Sequence, residues 1–126
     1  YFSARSLARI YSVLACGGQL DGVRLLSEKT LNEATRVQSR RRGRVIPMPM
    51  DWRLGYHRIP VVRAKAPEAF GHFGIGGSGA WADPQRGLAV ALVLNSGMGT
   101  PFGDTRIVRV SSNAVQAADA RMGACS

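Results

Sequence analysis

Apolar residues recur every three to four positions over the first 37 residues, which is the spacing of amphipathic helices. The first run can start from Ser3 or Ser6 as an N-cap, and the pair Gly17-Gly18 ends it. A second run starts after Ser27, with Glu28 in a first turn that favours acidic residues. The positions that carry the two patterns are Leu7, Ile10, Tyr11, Leu14, Leu31, Ala34 and Val37. We therefore expect helices within about residues 4–37, followed by an exposed basic loop over 39–51.

The pattern changes to that of β-strands over about residues 52–95. Alternation at Trp52, Leu54 and Tyr56 predicts a half-buried strand and leaves His57 as a surface or half-buried residue. Pro60 and Pro67 bracket an edge strand or a turn, and Ser78 to Ala82 can form a further strand. Residues 83–87 form a turn signal, after which the unbroken apolar run of residues 88–94 predicts a central strand buried on both faces.

A last helical stripe over about residues 104–122 can be capped by Asp104 or Thr105. The order of helices, antiparallel strands and a final helix predicts an α+β fold, an antiparallel sheet flanked by helices. One C-terminal helix covers only one face of the strand at 88–94. We therefore expect residues 1–126 to be the C-terminal segment of a larger domain. The start at Tyr1, without an initiator methionine, agrees with this expectation. Alone, the chain should expose apolar surface and associate with itself or with its missing half.

The composition excludes some functions and leaves others open. The net charge of +9 is partly concentrated in the run Arg40, Arg41, Arg42 and Arg44. Because no aromatic residue is interleaved with this run, it favours a solvated loop over a nucleic-acid interface. A basic module for nucleic acids or other anions remains the alternative, and binding that weakens steeply with salt would support it. No window is apolar enough for a membrane span.

The cysteines Cys16 and Cys125 lack metal-ligand spacing, and a disulfide between them is left open by the sequence. No metal or cofactor is expected, and the sequence does not fix a compartment.

The densest chemical signal is a glycine-rich segment beside a histidine. Five glycines fall within residues 71–79, around His72 and Phe73, and the apolar run that ends near Asn95 follows. Glycine has no Cβ, so such a backbone can come very close to a ligand. This segment is therefore the candidate site.

Three segments of the chain resemble the penicillin-recognising serine hydrolases, a family of class C β-lactamases, related carboxylesterases and D-alanyl-D-alanine carboxypeptidase-like proteins. They are residues 7–27 with the passage Leu25-Leu26-Ser27, then Leu54-Gly55-Tyr56, and residues 71–84 with the strand to Asn95. The third segment is the most specific. In this family a Ser-x-x-Lys supplies the nucleophile, a Tyr-x-Asn loop supplies a proton-transfer tyrosine, and a Lys-Thr-Gly or His-x-Gly triplet forms a third wall.

The resemblance implies roles for residues of the third motif only. His72-Phe73-Gly74 matches the triplet, and the amide of Ile75 would be one of two oxyanion donors. The implied catalytic residues are His72 and Ile75, and the implied substrate-binding residues are Phe73, Gly74, Gly76 and Gly77. No serine of the chain is followed three residues later by lysine. The chain alone should therefore be inert, and its expected partner is the N-terminal half of the same fold.

Two departures from the family pattern bear on the substrate. His72 stands where β-lactamases have lysine, and Phe73 replaces the threonine that helps to bind a β-lactam carboxylate. We therefore expect a small ester, amide or β-lactam-like substrate, with esters favoured. A non-catalytic member of the family that keeps the fold as a binding scaffold is a further alternative, which the upstream sequence would decide.

Overall fold

The computed structural model describes residues 2–42, 46, 49–97 and 104–124. The chain forms three helices and six short strands within these residues. In order they are α1 (Ala4–Ala15), β1 (Gln19–Leu20), β2 (Val23–Arg24), α2 (Glu28–Thr35), β3 (His57–Arg58), β4 (Phe70–Phe73), β5 (Gly79–Asp83), β6 (Leu88–Leu92) and α3 (Arg106–Ala124).

Local signals place the ends of the first two helices. The Ser3 side chain accepts a hydrogen bond from the Ser6 amide, and the Ser27 side chain accepts one from the Thr30 amide. Each serine thus satisfies an amide that has no partner inside its helix. The helix α2 ends at Thr35, so the predicted extension to Val37 is wrong.

The main sheet is antiparallel and has the order β3-β4-β5-β6. Strand β4 pairs with β3 through His57 opposite Gly71, and with β5 through His72 opposite Ala80. The two-residue strands β1 and β2 form a separate hairpin around Asp21 and Gly22. The predicted α+β class, with an antiparallel sheet and flanking helices, is confirmed.

Helices lie on both faces of the sheet. The helix α1 contacts β5 and β6, and α3 also contacts β6. One core cluster joins Leu14 of α1 to Phe70 and Ala82, and a second joins Val115 of α3 to Trp81 and its neighbours. The expectation that the second face of β6 needs cover from outside the chain is therefore wrong, because α1 supplies it.

Two predictions for the strands also need correction. The residues of β6 are half-buried, and β6 is the outer strand of the described sheet rather than a central one. The predicted strand at residues 52–57 is reduced to an isolated bridge at Trp52 and the short β3. The reason is Gly55, whose φ of 79° breaks the extended conformation.

A buried hydrogen bond ties α3 to the sheet. The indole N–H of Trp81 donates to the Ser111 hydroxyl at 2.9 Å, and both residues are fully buried. We expect Ser111→Ala to lower the free energy of unfolding by about 1–3 kcal/mol, because it leaves a buried donor without an acceptor. Asn113→Ala, an exposed control on the same helix, should change it by less than about 0.5 kcal/mol. Urea denaturation of the full-length product of the reading frame measures both values. Equal effects of the two substitutions would contradict the assignment.

Candidate active site at the end of strand β4

The glycine-rich segment forms a tight hairpin between β4 and β5. The Gly74 amide donates to the Ser78 carbonyl at 3.0 Å, and the Gly77 amide donates to the Gly74 carbonyl at 2.9 Å. Gly77 has a φ of 82°, as expected for the left-handed residue that closes a three-residue hairpin loop. Ile75 therefore occupies the first central position of a β-turn.

The orientation of the peptide between Gly74 and Ile75 follows from these bonds. Its carbonyl, on Gly74, points into the turn toward the Gly77 amide. In a trans peptide the N–H points opposite to the carbonyl, so the Ile75 N–H points out of the turn. Within the part of the chain that the structure describes, no group accepts a hydrogen bond from this amide. Ile75 as a whole is 79% exposed.

The start of α3 braces the same turn. The Asp104 amide donates to the Ile75 carbonyl at 3.0 Å, and the Asp104 carboxylate accepts from the Arg106 amide at 2.9 Å. A Cβ built on Gly77 would lie 2.6 Å from the Asp104 Cβ, so only glycine fits there. The predicted helix-capping residue Asp104 thus also holds the loop that carries Ile75. Its contact with the loop is a tertiary feature that the helix pattern does not reveal.

The glycines of the segment serve two different purposes. A Cβ on Gly71 or Gly79 would lie within 2.5 Å of the neighbouring strand, so both are required by strand packing. Gly74 and Gly76 have open space around them and are exposed. Of the glycines predicted to bind substrate, these two lie at the accessible surface, and Gly77 is buried against Asp104.

His72 and Phe73 lie on opposite faces of β4, as neighbours in a strand must. The His72 side chain is exposed. The Phe73 ring is half-buried, packs against the second core cluster and contacts His57 edge-on at 4.5 Å between ring centroids. The six predicted residues therefore come together in one hairpin, with His72, Gly74, Ile75 and Gly76 on its open side.

His57 is the residue near the site that sequence reasoning missed. It was predicted to be a surface or half-buried residue, and it is only 2% exposed. Its ring lies between those of Phe73, His72 and Trp52. The alternation of Trp52, Leu54 and Tyr56 placed His57 on the polar side, and the turn at Gly55 invalidates that register. The glycine within the pattern was the available signal for such a break.

Tyr11 of α1 and Tyr56, which precedes β3, support β4 from the side of His72. The Tyr11 and Tyr56 rings meet edge-on at 6.3 Å, and Tyr56 meets Phe70 at 5.2 Å. Burial raises the pKa of Tyr11 to about 12, Tyr56 adds to the rise, and the backbone of His72 opposes it. Tyr11 is therefore a protonated, packed phenol at neutral pH.

A separate cleft of about 640 Å³ lies away from this hairpin, beside the end of α2. Four arginines and one lysine line it, with two carboxylates among them. The side chain of Arg36 pairs with Glu33 at 2.7 Å, and Arg40 lies 3.8 Å from Asp51. No residue of the hairpin lines this cleft, so it is not part of the candidate site. In the run of arginines, Arg40 to Arg42 are exposed, as expected for a solvated loop, and Arg44 lies outside the described residues.

Two other kinds of site are absent from the part of the chain that the structure describes. No helix among them is long and apolar enough to cross a membrane. No group of three histidine, cysteine, aspartate or glutamate side chains among them could hold a metal ion. Cys16 is exposed, and Cys125 lies outside the described residues, so the disulfide left open by the sequence stays open.

The sequence model of the family described as "Beta-lactamase" matches residues 1–113. The chain therefore belongs to the β-lactamase family. Its relatives include the esterase/beta-lactamase LipL of Mycobacterium tuberculosis, with 42% identity over 98 residues. That alignment covers 74% of this chain and 21% of LipL, so the chain spans about a fifth of this relative's length.

Two solved structures are similar in fold as well as in sequence. A penicillin-binding protein homologue from Caulobacter crescentus superposes with a TM-score of 0.79 and 39% identity, over 92% of this chain and 32% of that one. A family VIII carboxylesterase superposes with a TM-score of 0.76 and 35% identity, over 90% of this chain and 31% of that one. Residues 1–126 thus span about a third of the length of each of these two structures.

Proposed function

We propose that residues 1–126 supply the third active-site wall of a serine hydrolase that works through an acyl-enzyme. His72 and Gly74 line the wall, and the Ile75 amide is one of the two donors to the oxyanion. The nucleophilic serine, its lysine and the second donor come from a segment outside residues 1–126, because no Ser-x-x-Lys occurs within them. The length of the relatives, three to five times that of the matched region, leaves room for such a segment.

The observation that carries this proposal is the outward-pointing Ile75 amide. Acyl transfer develops negative charge on the former carbonyl oxygen, and fixed N–H groups aimed at that oxygen stabilise it. Two hydrogen bonds fix the backbone around this amide. The Gly77 amide donates to the Gly74 carbonyl at 2.9 Å, and the Asp104 amide donates to the Ile75 carbonyl at 3.0 Å. The donor is therefore preorganised, and it needs no rearrangement as the charge develops.

The wall favours esters over β-lactams. A β-lactam antibiotic carries a carboxylate, and in the family the threonine of the triplet helps to bind it. Phe73 offers no hydroxyl at that position, and its ring packs into the core, away from His72. Nothing in the triplet then replaces the lost carboxylate contact. An uncharged acyl ester does not need that contact.

The test is hydrolysis by the full-length product of the reading frame. We expect turnover of short-chain p-nitrophenyl esters with a kcat/KM at least about tenfold above that for nitrocefin, since one lost hydrogen bond to a charged group is worth about 1.5–3 kcal/mol. A fluorophosphonate probe should label the serine of the upstream Ser-x-x-Lys, and a Ser→Ala variant at that position is the control. Absence of both turnover and labelling in a folded product would overturn the proposal and leave the non-catalytic scaffold.

A further inference from the structure

The buried His57 connects strand β3 to the site wall through both of its ring nitrogens. Its Nδ1 lies 2.9 Å from the Arg58 carbonyl oxygen, and a carbonyl can only accept, so Nδ1 carries the hydrogen. The Phe73 amide donates to Nε2 at 3.4 Å, so Nε2 presents its lone pair. The two bonds together require the neutral imidazole with its hydrogen on Nδ1.

The His57 imidazole replaces a backbone hydrogen bond that is missing between β3 and β4. Strand β3 pairs with β4 at only two positions, His57 with Gly71 and Arg58 with Phe70. A longer β3 would offer a backbone carbonyl to the Phe73 amide, but the chain turns away at Gly55. A side-chain nitrogen therefore satisfies the last β4 amide before the Gly74 turn. Without this acceptor the Phe73 amide would have no hydrogen-bond partner, which costs free energy and leaves the Phe73 peptide less firmly held.

We propose that neutral His57 is a positioning residue, which fixes the Phe73 peptide and through it the His72 ring and the outward Ile75 amide. The inference rests on the proposed function, because the wall that His57 holds is the one assigned there. The ring contacts agree with this role. His57 meets Phe73 edge-on at 4.5 Å and His72 at 5.1 Å, so it touches both side chains of the triplet.

The role implies a dependence on pH with a definite sign. Protonation converts Nε2 from an acceptor to a donor that faces the Phe73 N–H, and the contact is lost. Burial lowers the pKa of His57, the hydrogen bond to the Arg58 carbonyl raises it, and the nearby His72 lowers it again. Two titratable or charged residues lie next to the His57 ring. His72 faces it from β4, and Arg58 is the next residue after His57 on β3. The other ring neighbours, Trp52 and Phe73, carry no charge.

A lowered folded-state pKa means that the unfolded chain takes up the proton first as the pH falls. The stability due to neutral His57 is therefore fully present above the ordinary histidine pKa of about 6.5. It is lost as the pH falls from that value through the lower pKa of the folded state. In the folded protein the ring is protonated only as the pH reaches the lower folded-state pKa, and there the wall should loosen. The profile of kcat/KM should therefore have an acidic limb that belongs to His57.

Two substitutions in the full-length product separate positioning from packing. His57→Gln keeps a side-chain acceptor within reach of the Phe73 amide and cannot titrate, whereas His57→Leu fills the space without an acceptor. Ile59 is buried and lies two residues after His57. Ile59→Val removes one methyl group there and controls for a general loss of core stability.

We expect His57→Leu to lower kcat by about 10- to 100-fold with KM nearly unchanged, as for the loss of other residues that orient a catalytic group. His57→Gln should retain most of the activity and lose the acidic limb, and Ile59→Val should retain both. In ¹⁵N-histidine spectra of the wild type, one signal should show a protonated Nδ1 and a bare Nε2. Hydrogen exchange of the Phe73 amide should be fast in His57→Leu and slow in His57→Gln.

The outcomes distinguish this inference from the proposed function. An active product in which His57→Leu keeps wild-type kcat and pH profile would overturn the positioning role and leave the hydrolase assignment intact. A bare Nδ1 at neutral pH would overturn it whether or not the product is active. If the tautomer and the exchange rates are as expected but the folded product hydrolyses nothing, the failure lies in the proposed function.

Discussion

Ile75→Pro should lower kcat for ester hydrolysis by about 10²- to 10³-fold in the full-length product, with KM changed little. Proline has no N–H, so the substitution removes the proposed oxyanion donor. Loss of one such donor corresponds to about 2.7–4 kcal/mol of transition-state stabilisation. The donor acts on charge that exists only in the transition state, so substrate binding should be nearly unaffected.

The position of Ile75 makes this substitution compatible with the fold. Ile75 is the first central residue of the turn closed by the Gly77 amide, and proline is favoured at that position. Its amide has no acceptor among the described residues, so proline breaks no hydrogen bond of the described fold. The residue before it is Gly74, which tolerates the restriction that a following proline imposes.

Ile75→Ala is the matched control, since it keeps the amide and removes only the side chain of a residue that is 79% exposed. It should stay within about threefold of the wild type, because surface substitutions change stability by less than about 0.5 kcal/mol. Replacing Ile75 by its α-hydroxy acid removes the N–H without a ring and should match the proline variant. If the variant with the α-hydroxy acid at position 75 folds and keeps the wild-type kcat, the oxyanion role of this amide is refuted.

Residues 1–126 expressed alone should hydrolyse p-nitrophenyl esters no faster than buffer. The full-length product should exceed that rate by a factor on the order of 10⁶, which is the scale of loss when a nucleophile is removed from a serine hydrolase. The physical reason is that an oxyanion donor and a wall stabilise charge only after a nucleophile has attacked. Saturable ester turnover by purified residues 1–126 would contradict this prediction.

The same preparation tests the expected self-association. Strand β6 is the outer strand of the described sheet, and its continuation Val93 is 46% exposed. Exposed strand edges pair readily with other chains. The chain alone should bind ANS and elute as more than a monomer in light-scattering chromatography. Adding the separately expressed upstream segment should reduce both signals and restore measurable ester turnover. A monodisperse monomer that does not bind ANS would show that the sheet edge is adequately protected.

Much of the fold follows from short-range signals in the sequence. Ser3 and Ser27 cap helices because each side chain reaches an amide three residues away. The Asp21-Gly22 and Asp83 to Gly87 turns lie where their residue types predict them. The class of the fold also follows, because the order of these elements leaves an antiparallel sheet with helices as its simplest arrangement.

The candidate site was found in the sequence only in part. The density of glycine beside His72 identified the hairpin, yet the pattern could not tell which glycines face a ligand. Gly71 and Gly79 are fixed by the approach of one strand to another, a distance that depends on the pairing of β4 with β5. The roles of the six predicted residues remain proposals, and the structure contributes the direction of the Ile75 amide.

The features that depend on residues a few positions apart follow from the sequence alone: the helix starts, the turn positions and the α+β class. Tertiary structure alone decided that α1 covers β6, that His57 is buried behind Phe73, and that Asp104 holds Ile75. His57 lies 16 positions from Phe73 along the chain, beyond the reach of any periodic pattern. Such contacts depend on how elements pack and where a strand ends, so they exist only once the sheet has formed.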